Sequence, residues 1–257
     1  MRRPWFWQCV LLAGLLGAWH ALTRADILSP FFFGEPWRVF AQLRAWGVSG
    51  EIFRHLGVTL VETLLAFGGG TLLGIAFGLW LALSPLAAIL LDPYIKAANA
   101  MPRVVLAPIF AMWFGLGIAS KVALGITLVF FIVFFNVYQG VRDVSPVVLD
   151  NARMLGATRA QLIRFVYWPA ATSWVFSSLH AAVGMAFVGA VVGEYLGSAR
   201  GVGYLILQAE GVFDINAVIA GIVVLTGCAL TLDAMVTLAE RRLLRWRPAA
   251  RGGDVLT

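Results

Sequence analysis

Along this chain, uncharged apolar stretches alternate with short segments that carry nearly all of the charge. A helix that crosses a bilayer needs roughly 20 predominantly apolar residues. Six stretches approach that length: 5–22, 56–83 (interrupted only by Glu62), 104–120, 122–141, 170–192 and 215–232. They predict an all-α polytopic membrane protein with about six transmembrane helices. Segment 86–100 fits less simply. It begins apolar, then carries Asp92, Pro93, Lys96 and Asn99, and Pro102 follows. It reads either as a helix on the membrane surface or as the entry to the third span, broken at Pro102, and both choices keep the parity of the topology. Residues 5–22 have the shape of a signal peptide, but no small-residue cleavage site follows, so they are read as an uncleaved span.

Composition agrees with lipid as the solvent. Of 257 residues, 61% are hydrophobic and 12% charged, against roughly 45–50% and about 25% in soluble domains. The net charge is +6, and every basic residue except Lys96 and Lys121 is an arginine. The arginines sit at the ends of apolar blocks rather than in a patch with aromatics, which argues against nucleic acid and for the positive-inside bias. With the N-terminus inside, the cytoplasmic side takes Arg2, Arg3, Arg142, Arg153, Arg159, Arg164, Arg241, Arg242, Arg245, Arg247 and Arg251. The outside takes Arg24, Arg38, Arg44, Arg54, Lys121 and Arg200, and Lys96 and Arg103 fall near the inner face. Both termini are then cytoplasmic. Cys9 and Cys228 lie within apolar blocks and suggest neither a disulfide nor a metal site.

Three regions follow: an N-terminal span and outside connection (1–55, with an amphipathic piece at 35–46), a core (56–240) with a cytoplasmic loop (142–169), and a basic tail (241–257). The loop is the most informative. Ser145 suits an N-cap and Pro146 the first helical position. A helix over 147–155 ends at Gly156, and Thr158 with Gln161 forms a capping box for a second helix. The loop is thus a rigid helix–turn–helix, although a surface helix in a long loop needs no function.

The run Asp150-Asn151-Ala152-Arg153-Met154-Leu155-Gly156-Ala157-Thr158, continued to Ile163 and Trp168-Pro169, resembles the EAA loop of binding-protein-dependent ABC permeases. Asp150 stands for the family's Glu, Ala152, Gly156 and Pro169 match, and Asn151 and Trp168 depart from the pattern. The run Met101-Pro102-Arg103 through Trp113-Phe114-Gly115-Leu116-Gly117 resembles the nitrate/sulfonate/taurine subfamily, as does Glu194 followed by Gly201-Val202-Gly203-Tyr204-Leu205-Ile206. Glu240-Arg241-Arg242 with Arg245-Trp246 is similar to that group's C-terminus. The resemblance covers the chain from about Leu56 and implies a type I ABC importer (MetI-like) core with one extra N-terminal span.

It also implies the function: the permease subunit of an ATP-driven importer in a bacterial inner membrane. Two copies would form the pathway, two ATP-binding subunits would dock on helix 146–155 of each, and a binding protein would deliver the solute. Asp150, Asn151, Ala152, Arg153, Leu155, Gly156 and Ala157 are the implied coupling residues. The subfamily handles nitrate, sulfonates, taurine and some pyrimidines, which leaves the solute open.

Polar groups within spans are costly and often functional. Glu62, His180 and Glu194 are therefore candidates for the pathway or its gating. Glu62 lies near the outer end of its span and could simply reach the interface, and Glu194, at an outer boundary, could anchor the loop or face the docking partner. His180 could equally tie two helices together, and Asp233 is placed to pair with Arg241 or Arg242. Gly70, Gly74 and Gly78 form a small-residue stripe, as do Ala182, Ala186 and Ala190, both read as packing surfaces within the subunit in preference to a dedicated dimer face. No phosphate-binding Gly-rich loop, metal-binding pattern or catalytic Ser/His/Asp set is present in the sequence. The expectation is no catalytic residue, metal or cofactor, with ATP hydrolysis on a separate subunit. A secondary transporter would call for inverted repeats or charge-lined broken helices, and an intramembrane enzyme for converging catalytic groups; the sequence offers neither.

Overall fold

Five of the apolar stretches fold as single long helices, and one does not. In the computed structural model, which describes residues 4–243, α1 (Pro4–Arg24), α4 (Glu51–Ala82), α7 (Ile118–Arg142), α10 (Trp168–Leu196) and α12 (Ile215–Leu243) are long and apolar enough to span a bilayer. Shorter helices join them: α2 (Pro30–Phe33), α3 (Pro36–Ser49), α5 (Pro85–Ala100), α6 (Ala107–Phe114), α8 (Pro146–Met154), α9 (Arg159–Leu162) and α11 (Val202–Gly211). The basic tail beyond residue 243, with Arg245 and Trp246, and the N-terminal Arg2 and Arg3 lie outside the described residues.

The stretch expected to span at 104–120 is corrected. α5 leads through a 3₁₀ turn (Arg103–Leu106) into α6, and the two arms are bent by 85°. Met101 is extended, with φ −67° and ψ 132°, because the ring of Pro102 disfavours the helical conformation in the residue before it. Gly115, at φ +76°, ends α6, so the next span starts afresh at Ile118. If the bent pair counts as one span, the total is six.

The chain divides into two compact units. The first takes Met1–Thr63, Val104–Leu124 and Gly189–Cys228. Its core gathers Val39 and Trp46 of α3, Ile52 of α4, Val202, Leu205 and Ala209 of α11, and Ala217 and Ala220 of α12. The expected amphipathic piece is α3, which turns those two residues inward and leaves Trp37 and Phe40 exposed. The start of α3 is tied to α12 where the Glu35 N–H donates to Asn216 Oδ1 at 2.8 Å.

The second unit takes Leu64–Arg103, Gly125–Val188 and Ala229–Thr257. Here the glycine stripe explains itself. A Cβ on Gly70, Gly74 or Gly78 would come within 2.6, 2.8 and 2.9 Å of the Cβ atoms of Val129, Val133 and Val137. Two rows spaced by four residues, one of glycine on α4 and one of valine on α7, interlock at close range. Ala182 and Ala186 of α10 are fully buried in the same core, with Ala66 and Ala171.

Candidate functional site

The loop between α7 and α10 folds from its own local signals. Pro146 opens α8, and Ser145 accepts the first turn through its carbonyl, from Val148 and Leu149 N–H, rather than through its hydroxyl. The helix closes in a complete Schellman turn. Gly156 N–H donates to Arg153 O at 2.9 Å and Ala157 N–H to Ala152 O at 3.0 Å, with Gly156 in the left-handed region at φ +80°. Thr158 then forms the expected capping box, its Oγ1 accepting from Gln161 N–H while its own N–H donates to Gln161 Oε1. A π-helical turn, Ile163–Tyr167, joins α9 to α10. Asp150 pairs with Arg153 at 3.1 Å, both largely exposed.

The exposed face of this element is apolar. Met154 and Leu155 are 85% and 88% exposed, and Val147, Val148 and Phe165 are also bare. Beside Leu155, a hollow of about 270 Å³ is lined by Ala152, Gly156, Ala157, Gln161, Leu162 and Phe165 among others. The structure thus brings Ala152, Leu155, Gly156 and Ala157 to one place. Asn151 and Arg153 are solvent-facing on the same helix.

Two of the three polar candidates within spans meet in one cluster. Glu194 of α10 is fully buried. It accepts from Thr59 Oγ1 at 2.6 Å and from Gly203 N–H at 2.8 Å, while Thr59 Oγ1 accepts from Val202 N–H at 3.0 Å. The carboxylate therefore fastens the start of α11 to α4. A Cβ on Gly201 would fall 2.1 Å from the Glu194 carboxyl carbon, and one on Gly203 would fall 2.6 Å from Val191 O. Gly201 has φ +108° besides. This is the physical reason for a Glu followed by two glycines in the sequence.

Glu62 does not reach an interface. It is 1% exposed, sets its carboxyl against that of Glu194, and leaves Oε2 without a hydrogen-bond partner. Lys121 of α7 lies near both carboxyl groups. Lys121 is 1% exposed and donates through Nζ to Leu116 O, which corrects its expected place in an outside loop. The sequence sets Lys121 between two apolar stretches; the fold carries it in the first turn of α7, near the carboxyl groups of Glu62 and Glu194.

His180 is not brought into this cluster. It ties α10 to α12, reaching Asp233 Oδ1 through Nδ1 at 2.8 Å and Glu240 Oε2 through Nε2 at 3.1 Å. Asp233 and Glu240 are seven residues apart, two turns of one helix face, so a single imidazole spans both. Asp233 is thus engaged by His180, and the side chain of Arg241 lies outside the described residues. Among the described residues no group of three His, Cys, Asp or Glu side chains has a metal-binding arrangement.

Comparison with known proteins decides the family. Residues 70–245 match the model of the binding-protein-dependent transport system inner membrane component. The chain belongs to this family of permeases. It is 31% identical over 98% of its length to a putative aliphatic sulfonates transport permease protein, SsuC, of Bacillus subtilis (strain 168), covering 91% of that protein. It is 30% identical to the taurine transport system permease protein TauC of Escherichia coli (strain K12), over 91% of this chain and 87% of that one. It is also 30% identical to the formylaminopyrimidine transport permease protein ThiX of Halalkalibacterium halodurans, over 91% and 92%. The fold is that of solved importers: a methionine ABC transporter, MetNI, in an inward-facing conformation (TM-score 0.63, 17% identity, 76% of this chain and 94% of that one), and an amino acid ABC transporter (TM-score 0.63, 22% identity, 78% and 97%).

This permease is a multi-pass inner-membrane protein of the type I importer fold, the transmembrane subunit of a binding-protein-dependent ABC importer and not itself an enzyme. Membership in the family implies an ATP-binding subunit and a solute-binding protein as partners.

Proposed function

We propose that this permease moves a small sulfonate-type anion across the inner membrane, and that α8 with the Schellman turn behind it is where the ATP-binding subunit pushes. The observation that carries the coupling site is the apolar end of a capped, nine-residue helix held out from the spans, with Met154 and Leu155 bare. Large exposed apolar side chains on a rigid element mark a contact surface, and a short helix opened by Pro146 and closed by a backbone Schellman turn transmits displacement instead of bending. In this reading two copies of the permease line the pathway and two ATP-binding subunits engage, one on each α8. Both termini and α8 are cytoplasmic, residues 56–240 are the transport core, and Asp150, Asn151, Ala152, Arg153, Leu155, Gly156 and Ala157 form or flank the docking surface. The Glu62–Lys121–Glu194 cluster and the His180 bridge act on the pathway by fixing helices rather than by touching solute.

The relatives named for aliphatic sulfonates and taurine, each about 30% identical over nine-tenths or more of this chain, support the solute class. The test is growth of a sulfonate-uptake-deficient bacterium on taurine or ethanesulfonate as sole sulfur source. The permease, its ATP-binding subunit and its binding protein should restore growth together, and omission of any one should abolish it. Restoration by the permease alone would contradict an ATP-driven importer. Uptake of labelled formylaminopyrimidine, but of neither sulfonate, by the complete system would contradict the solute class.

A further inference from the structure

Arg103 is a cation placed against the middle of a spanning helix, with no carboxylate paired to it among the described residues. It follows the break at Pro102, where α5 ends and the chain bends by 85°. Its guanidinium carbon lies 4.4 Å from the centroid of the Phe131 ring. Phe131 stands thirteen residues from one end of α7 and eleven from the other, which at 1.5 Å per residue is about 20 Å and about 17 Å of helix. The guanidinium therefore lies beside the middle of α7, not at the end of a span where the charge pattern put it.

Its neighbours satisfy it only in part. Nη2 donates to the carbonyl of Asn99 at 3.0 Å and to Asn99 Oδ1. Nε is buried without an acceptor among the described residues, and no carboxylate pairs with Arg103 among them. A charged side chain at bilayer depth is expensive, and contact with one aromatic face offsets only part of that cost. Asn99 turns its oxygen toward Arg103, so its amide N–H groups remain as further donors. A planar fork of N–H groups with an amide beside it matches the oxygens of a tetrahedral oxyanion, and interrupted spanning helices are where transport proteins build solute sites.

We propose that Arg103, assisted by Asn99, is an oxyanion site in the translocation path and takes the sulfonate group of the solute beside the middle of α7. The inference rests on the sulfonate reading above. A lipid phosphate has the same chemistry and is separated from solute by the test.

The experiment measures saturable binding of labelled ethanesulfonate to the permease with its ATP-binding subunit in phosphatidylcholine nanodiscs. Wild type binds; Arg103→Gln loses at least about tenfold, the order expected of a lost charge-assisted pair, and Arg103→Lys, which keeps the charge but loses the planar fork, falls between the two. Asn99→Ala, which leaves the cation in place, loses less. The neutral ethanesulfonamide does not compete. Retention of the ATP-binding subunit is the same in all variants, which separates lost binding from lost folding. Equal binding by wild type and Arg103→Gln overturns the site. Binding suppressed in phosphatidylglycerol-rich discs, with that lipid co-purifying in wild type but not in Arg103→Gln, assigns the site to lipid and overturns the solute role. A wild type that takes up ethanesulfonate in cells but never binds it in discs sinks the site and leaves the sulfonate reading standing. A wild type that does neither sinks both.

Discussion

The N–H of Ala157 reaches back over five residues to the carbonyl of Ala152 at 3.0 Å, and this bond closes α8 against the turn that follows. It forms only because Gly156 between them holds φ +80°. Nothing lies within 4 Å of where a Cβ on Gly156 would stand, so the requirement is one of backbone conformation and not of space. Asparagine tolerates that conformation and a β-branched residue does not. We therefore expect Gly156→Asn to transport nearly as wild type. Gly156→Val should insert normally, strain the turn by about 1–2 kcal/mol and lose transport several-fold, as read by uptake alongside membrane abundance. Equal activity of the two variants would remove the turn from the coupling account.

Glu194 and Gly201 make a second pair, in which space forbids a side chain as well as the φ of +108°. Gly201→Ala drives a Cβ into the Glu194 carboxyl, and Glu194→Ala leaves Gly203 N–H without its acceptor, while Thr59 Oγ1 keeps only the carbonyl of His55 at 3.3 Å. Each buried donor left unpaired costs about 1–3 kcal/mol. Both variants should free the segment 197–201 and expose the bond after Arg200 to trypsin, while Glu194→Gln, which can still accept from Gly203, should resist. Unchanged trypsin cleavage in Glu194→Ala would show that the carboxylate does not hold this segment.

Glycines of α4 differ from one another in a way a stability measurement can read. Gly74 has the Val133 Cβ and the backbone of Phe130 and Phe134 within 3.0 Å of a built Cβ, whereas Gly68 has nothing within 4 Å. Gly74→Ala overpacks a contact that backbone cannot yield, at about 1–3 kcal/mol. Gly68→Ala gains up to about 1 kcal/mol of helix propensity. Thermal unfolding in detergent should fall for the first and hold or rise for the second.

Most of this molecule was legible in its sequence, and the exceptions share a cause. Spans, caps and the Schellman glycine are local: they depend on runs of apolar residues and on signals at Ser145, Pro146, Gly156, Thr158 and Gln161 that neighbours in sequence can satisfy. The stretch 104–120 departs at Gly115, which ends α6 after eight residues, while the break at Pro102 falls where the sequence reading put it. Glu62, Lys121 and Glu194 come from three helices, so their pairing has no spacing to reveal it. The same holds for His180 with Asp233 and Glu240, and for Arg103 over Phe131.

The central claim is that the bare end of α8 is the ATP-binding subunit's handle, and the most direct measurement is retention of that subunit. Leu155, at 88% exposure, contributes nothing to the core of this chain, so Leu155→Asp leaves the fold alone while placing a charge on the proposed contact. A tagged permease extracted in mild detergent should carry the ATP-binding subunit in equal amount, and the Leu155→Asp variant should carry at least about tenfold less, the loss expected when a buried apolar contact takes a charge. The exposed Val48, remote in sequence and outside the loop, provides the control: Val48→Asp should retain the subunit fully. Undiminished retention by Leu155→Asp would contradict the account.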